Sequence, residues 1–204
     1  MSTILRNEYT IGKNKAIEIQ QGNIVDYIAD AIVTPANAHL EIEPQGVSAA
    51  ILRKSGMEPF KKAVDLAKNY AKEHGFTNVG DIEVRVPLFS AHVTDGGKIS
   101  QKIIHSVALS YDPKKRCAYC NKEIVEKSVE NILKKAEEEG IKSIGIPALG
   151  AGVYKVPIED SVEAIVTESK KHLEGKSLVD RIGIVLYGED SYNEGKKVCD
   201  KLLK

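Results

Sequence analysis

The stretch KSIGIPAL, followed by PIEDSVEAIVTESKKHL and then DRIGIVLY, sets an apolar strand against a helical pattern and then against a second apolar strand. A strand that is apolar on both faces has to be covered on both. Such strands separated by amphipathic helices form a mainly parallel sheet with helices on either side. The same alternation runs through the rest of the chain. KAIEIQ is a strand pattern ending at Gln20, and DAIVTPAN is a short apolar strand that runs into a polar turn at Pro35. VSAAILRKSG is helical and stops at Gly56. Pro59 then opens FKKAVDLAKNYAKEHG, whose Phe60, Val64 and Ala67 recur at helical spacing until Gly75. DIEVRVPLFSA alternates and reads as one strand, TDGGK as a turn joining two neighbours, and KIIHSVAL as a buried strand. In NKEIVEKSVENILKKAEEEG, Ile124, Ser128, Val129, Ile132, Leu133 and Ala136 make one helical face, Asn121 can cap and Gly140 can terminate. NEGKKVCDKLL is the final helix.

The predicted fold is therefore α/β, a three-layer α/β/α sandwich around a central mixed, mainly parallel sheet. A chain of 204 residues is long enough to bury a proper core and too short for two roomy domains. No repeat, low-complexity segment or linker interrupts it, so residues 1–204 are expected to form a single domain.

Charge and cysteine content narrow the function classes. Lys plus Arg and Asp plus Glu stand at 29 each, so no overall basic field recruits nucleic acid. The one basic cluster, Lys114, Lys115 and Arg116, is read as a solvated surface at a helix start. No run approaches the roughly 20 apolar residues of a membrane span, and MSTILRNEYTIGKNK lacks the apolar core of a secretory signal, so a cytoplasmic protein is expected. Cys117 and Cys120 form a CxxC, but Cys199 is the only other cysteine, which excludes a four-cysteine zinc site in one chain. The pair reads as two incidental thiols, as a redox pair, or as half of a mixed site with His105 or His74. No metal and no cofactor are expected.

In a sheet of this kind, ligands lie beyond the carboxyl ends of the strands. Three loops then matter: those after Thr34, after Ala148 and after Leu186. The segment IGIPALGAGVYKVPIED places Gly150 and Gly152 between a strand and a helix, where backbone N–H groups and a helix N-terminus can hold an anion. It is not a dinucleotide fingerprint, because Lys155 and Val156 stand where a third glycine belongs. The GK[ST] ending of a P-loop is absent as well.

GNIVDYIADAIVTPANAHL, GVSAAILRKSG, KIIHSVAL and SIGIPALGAGVYKVP occur in the order and spacing of the macro domain family, and the sequence resembles a macro domain over nearly its whole length. That resemblance implies binding of ADP-ribose or a related metabolite, with protein-attached ADP-ribose as a further partner, and in some members hydrolysis of ADP-ribosyl or phosphate esters. It carries the base contact to Asn23 and Ile24, the distal ribose to Ala36 and Asn37, and the first phosphate loop to Gly46, Val47 and Ser48. The second phosphate loop becomes Pro147, Ala148, Leu149, Gly150, Ala151, Gly152, Val153 and Tyr154, with Tyr154 against ribose and phosphates. Tyr187 is placed to stack on the base, with Tyr192 as its alternate. An asparagine stands at position 23 where the family has aspartate. Its amide oxygen can still accept from an adenine amino group, and its own amino group could favour another base.

The first loop departs from the family. LEIEPQGVSAA has no run of glycines, Pro44 removes an amide donor, and Glu41 and Glu43 would repel a diphosphate unless they point outward or touch ribose. The family's catalytic aspartate is Ser48 here and its histidine is Leu52, so the carboxylate of the hydrolysing members is missing. Asn37, orienting a ribose or water, and His39, at the cleft mouth as a general base, are the remaining catalytic candidates; a solvated loop residue competes for His39. His105 reads as a core histidine. Three functions stay open: a hydrolase working by positioning, a non-catalytic reader module, and a nucleotide- or RNA-binding domain with a diverged first loop.

Overall fold

In the computed structural model, residues 4–42, 45–79 and 82–204 are described. Met1 to Thr3, Glu43, Pro44 and Asp81, on which parts of the sequence reading fall, lie outside them. Among the described residues the strands are β1 Arg6–Ile11, β2 Lys15–Gln21, β3 Ala31–Pro35, β4 Thr77–Val79, β5 Ile82–Val84 and β6 Ala91–Thr94. They continue with β7 Lys102–Ser106, β8 Ser110–Asp112, β9 Cys117–Tyr119, β10 Ser143–Pro147 and β11 Arg181–Leu186. The helices are α1 Gly46–Ser55, α2 Glu58–His74, α3 Lys122–Glu138, α4 Ile158–Glu174 and α5 Glu189–Leu203.

Seven strands form one sheet in the order β1-β2-β11-β10-β3-β7-β6. The inner five, β2, β11, β10, β3 and β7, are parallel. β1 and β6 close the edges antiparallel. Helices cover both faces, which gives the three-layer sandwich that the alternating pattern implies. On one face Ile17, Ile19, Val33, Ile104, Ile144, Ile146, Ile182 and Ile184 pack against α3, α4 and α5. On the other, Ile32 and Ile103 meet Ile51 of α1 and Phe60 of α2. Each residue of the predicted α3 face is buried, and Asn121 caps the helix by accepting from the backbone N–H of Ile124 at 3.0 Å.

Part of the second face is covered by the segment that carries Ile24 and Tyr27. Gly145 of β10 and Gly183 of β11 are register partners, and Gly183 is also paired with Glu18 of β2. A Cβ on Gly183 would stand 2.2 Å from the Tyr27 ring, and one on Gly145 would stand 2.8 Å from it. The two glycines thus make a floor on which the Tyr27 ring lies. Its hydroxyl donates to the buried Glu18 carboxylate at 2.8 Å, and Arg6 neutralises that carboxylate from the other side. The segment from Gly22 to Tyr27, containing a short 3-10 turn at Ile24–Asp26, is pinned to the sheet by this contact.

Three expectations need correction, and one strand is added. DIEVRVPLFSA is not one strand: Pro87 has no N–H to donate, and Phe89 adopts φ +67°, which breaks the extended run. β5 pairs with β4 in a separate hairpin, and only β6 joins the main sheet beside β7. β1 is an edge strand whose RNEYTI pattern sequence reading passed over. The basic cluster Lys114 to Arg116 sits at the tip of the β8–β9 hairpin rather than at a helix start, and Arg116 there has φ +52°. Tyr192 is buried, and its hydroxyl donates to Asn7 at 2.6 Å, so it cannot stand in for Tyr187.

Two histidines lie opposite each other where β6 meets β7. His105 is buried beside Phe60, with Thr94 at 3.0 Å from its Nε2, and burial pushes its pKa down to about 3. His92, hydrogen-bonded to Ser90, is held down to about 4 by burial and by the Lys135 charge. Glu137 is shifted upward by burial, but hydrogen bonds from Ser177, Leu178, His172 and Val179 outweigh this and hold it at about 2. Both histidines are neutral in the native state and would take up protons near pH 6.5 once unfolded. Stability is therefore full above about pH 6.5 and is lost as pH falls toward the folded values. Urea unfolding is expected to show a loss of about 2 kcal/mol or more between pH 7 and pH 5. A flat profile over that interval would contradict the burial assigned to these two rings.

Candidate functional site

The five parallel strands end on the same side, and the loops that leave four of them, β2, β11, β10 and β3, wall a two-lobed cleft, to which the segment after β7 adds Ala108 and Leu109. The larger lobe, about 710 Å³, lies over β2 and β11 and is lined by Asn23, Ile24, Leu186, Tyr187 and Ser191. The smaller, about 230 Å³, lies toward β3 and β7 and is lined by Ala36, Asn37, Ser48, Ala108, Val153 and Tyr154. Gly46, Val47, Ala148 and Gly152 line both lobes and so form the waist between them. The sequence of parts across the cleft follows the order of strands in the sheet.

Each side of the waist has a physical reason to be there. Gly46 opens α1 at φ +63°, a conformation that glycine adopts at little cost. Gln45 before it makes no side-chain cap hydrogen bond, and Gly46, Val47 and Ser48 of the first turn of α1 line the cleft. Opposite, the loop from Ala148 to Tyr154 folds back on itself through Val156 N–H to Gly150 carbonyl at 3.2 Å. Its two glycines differ in kind. Gly150 has φ +75°, and a Cβ there would stand 2.7 Å from Cys120 Sγ and from Val156. Gly152 lines both lobes and has open space where its Cβ would be. Gly150 is fixed by packing, whereas Gly152 keeps the waist clear.

Most of the sequence-predicted residues converge here, and the exceptions are informative. Leu149 is fully buried in the core, and its carbonyl accepts from Ser161 at 2.9 Å, so its side chain does not reach the cleft. Asn37 lines the smaller lobe, and its amide also organises the loop. Oδ1 accepts from the backbone N–H groups of His39 and Glu41 at 3.0 and 3.2 Å, and Nδ2 donates to the Glu41 carbonyl at 3.3 Å. His39 contributes that backbone N–H, and the described lining of the two lobes does not include it. Glu41 is paired with Arg85 at 3.1 Å and stays out of the lining, so its charge does not oppose an anion at the waist. Asn23 accepts from Val25 N–H at 3.3 Å as a turn cap and also faces the larger lobe. Tyr187 is 83% exposed at the rim.

Sequence reading missed Ala50, Arg53 and Ser191. Ala50 and Arg53 follow Gly46 at four and seven positions, the spacing of one helical face, and that spacing is the signal that could have found them. Arg53 is the one charged side chain among the described residues lining either lobe. Among the described residues no three His, Cys, Asp or Glu side chains form a ligand group. Cys117 and Cys120 are free thiols, and burial pushes Cys120 up to about 11. Among the described residues, no helix is long and apolar enough to cross a membrane.

The family model described as Macro domain matches residues 33–165, which include the waist, the smaller lobe and the loop between β10 and α4. The chain belongs to the macro domain family. An uncharacterized protein of Pyrobaculum aerophilum is 32% identical over 197 residues, covering 96% of this chain and 97% of its own length. One of Pyrococcus furiosus is 30% identical over 189 residues, covering 89% and 96%. Among solved structures, the Oceanobacillus iheyensis macrodomain with ADP superposes with a TM-score of 0.82 at 22% identity, over 98% of each chain. The Trypanosoma brucei macrodomain in complex with ADP-ribose does so with a TM-score of 0.69 at 22% identity, over 89% of this chain and 68% of its own. At that identity the two structures speak for the fold of this macro domain.

Proposed function

We propose that this macro domain binds a nucleoside diphosphate sugar of the ADP-ribose type, free or attached to a protein. The observation that carries the reading is the waist: two backbone segments, one the open N-terminus of α1 and the other a glycine-containing loop, face a passage between two separate lobes. Backbone N–H groups and the helix dipole favour a diphosphate at such a point without any lysine. Asn23, Ile24 and Tyr187 then meet the base. Gly46, Val47, Ser48 and the loop from Pro147 to Tyr154 hold the phosphates, and Ala36 and Asn37 meet the distal ribose. Arg53 adds the one positive charge among the described residues of the lining. Related folds captured with ADP and ADP-ribose support the same reading.

Binding without turnover fits the smaller lobe best. Its described lining has no carboxylate and no imidazole, the groups a hydrolytic base would ordinarily come from. ADP-ribose is expected to bind in the micromolar range by calorimetry, well ahead of AMP, which lacks one phosphate and the distal sugar. No heat at millimolar ADP-ribose from folded protein would remove the proposal. Release of ADP-ribose from a modified protein, abolished by Asn37→Ala with folding intact, would turn the reader into a hydrolase.

Tyr187 supplies a separate check. Stacking of a base on an aromatic ring is worth about 1–3 kcal/mol. Tyr187→Ala is therefore expected to weaken ADP-ribose by about fivefold or more, while the thermal midpoint stays unchanged because the ring is so exposed. Equal affinity in the two proteins would take Tyr187 out of the site.

A further inference from the structure

The basic run Lys114, Lys115 and Arg116 crowns a hairpin whose root belongs to the smaller lobe. Ala108 and Leu109 line that lobe, and β8 begins at the next residue, Ser110. β9 ends at Tyr119, and Cys120 after it packs against Gly150, another lining residue, with Sγ 2.7 Å from where a Gly150 Cβ would stand. Both strands of the hairpin therefore leave from the wall of the lobe. They pair through three residues each, which puts the turn 113–116 about 10 Å beyond that wall.

The turn is held by its backbone. Asp112 accepts from the backbone N–H groups of Lys114 and Lys115 at 2.9 and 3.2 Å. Both lysine side chains point away from the fold: Lys114 is exposed, and Lys115 is 78% exposed and comes no closer than 3.9 Å to Asp112. Lys155, likewise exposed, directly follows the lining residue Tyr154. In a chain of zero net charge these lysines make one end of the cleft locally positive. The distal ribose of an ADP-ribose lies at that end, and a protein that carries ADP-ribose is joined through that ribose. An extended peptide advances about 3.3–3.6 Å per residue, so the tip of the hairpin is reached about three residues from the point of attachment. We infer that the β8–β9 hairpin reads the carrier protein, favouring acidic residues about three positions from the modified one. A nucleic-acid strand needs a positive groove that tracks its backbone. Two neighbouring lysines on a hairpin tip match a pair of carboxylates instead. The inference rests on the reading of the cleft as an ADP-ribose site.

Two peptides carrying a single ADP-ribose are the probes, one with glutamates and one with serines three and four residues either side of the modified residue. By calorimetry at low salt, the parent protein is expected to bind the glutamate peptide at least about threefold more tightly. The gap should close at about 1 M salt, where charges are screened beyond about 3 Å. Lys114→Gln combined with Lys115→Gln keeps the backbone bonds to Asp112 and should remove the gap, with free ADP-ribose bound as by the parent. Equal binding of the two peptides by the parent overturns the inference, as does a gap that survives the double substitution. An ADP-ribosylated oligonucleotide that binds more tightly than the glutamate peptide, and loses that advantage in the double variant, also overturns it by making the partner a nucleic acid. Each of these results leaves the ADP-ribose site standing. If free ADP-ribose does not bind the folded parent, that site falls and the carrier preference falls with it.

Discussion

Gly152→Trp is expected to abolish the calorimetric signal of ADP-ribose while leaving the thermal midpoint within about 2 °C of the parent. The expectation follows from what surrounds this glycine. A Cβ at 152 meets no protein atom within 4 Å, and the backbone is not in the left-handed region, so a side chain there costs the fold little. Gly152 itself lines the waist shared by both lobes, so a large side chain there is expected to fill it. An indole in that passage excludes a diphosphate lying through it. Affinity should fall by about a hundredfold or more, equivalent to about 2.7 kcal/mol of binding. Gly150→Val provides the contrast two residues away. There the new carbon runs into Cys120 and Val156 at φ +75°, so stability falls first and binding is lost with it. Retained affinity in Gly152→Trp would mean that the ligand does not pass between Gly46 and Gly152.

The difference between these two glycines also marks how far sequence alone reaches. GAG before a helix is visible as a phosphate-loop candidate, because the residue types and the strand-to-helix context are both local. Which glycine packs and which faces the ligand depends on Cys120, some thirty residues away, and local pattern carries no trace of that. The inner strands and five helices are legible for the same reason: hydrophobic period is a local property, and Ile144, Ile146, Ile182 and Ile184 leave little choice of partner. β1 is harder to see because its exposed polar positions weaken the signal of an edge strand, and RNEYTI alternates only between Glu8 and Ile11.

The site was legible in two degrees. Asn37, Gly46, Gly152 and Tyr154 could be placed by resemblance, since their motifs recur at family spacing, and the structure brings all four to the cleft. Charge near the site was not legible. Glu41 reads as a hazard to an anion in LEIEPQ, yet it reaches Arg85 across forty-odd residues and leaves the lining. Arg53 reads as one more basic residue near a helix end, and only the folding of α1 across the strand ends turns it into the lobe. Long side chains are placed by tertiary partners rather than by neighbours in sequence, so they are where sequence reading fails first.

Gly183→Val is expected to be the most destabilising single change in the central sheet. Its Cβ would enter the Tyr27 ring, 2.2 Å from Cζ and from the hydroxyl. The ring is 3% exposed and closely packed, so it cannot slide aside without leaving the floor made by Gly145 and Gly183. Forcing extra methyl groups into such a place costs about 1–3 kcal/mol. Lifting the ring also breaks its bond to Glu18, a carboxylate 1% exposed, and a hydrogen bond to a charged group adds about 1.5–3 kcal/mol. Together these predict a loss of about 4 kcal/mol and a midpoint lower by roughly 8–16 °C for a domain of this size. Tyr27→Phe isolates the second contribution, because it keeps the ring on its glycine floor and removes only the hydroxyl. Ligand affinity should fall along with stability in Gly183→Val, since Asn23 and Ile24 ride on the segment that Tyr27 anchors. A loss below about 1 kcal/mol would show that the ring has room to move, and the larger lobe would then owe its shape to something other than this pair of glycines.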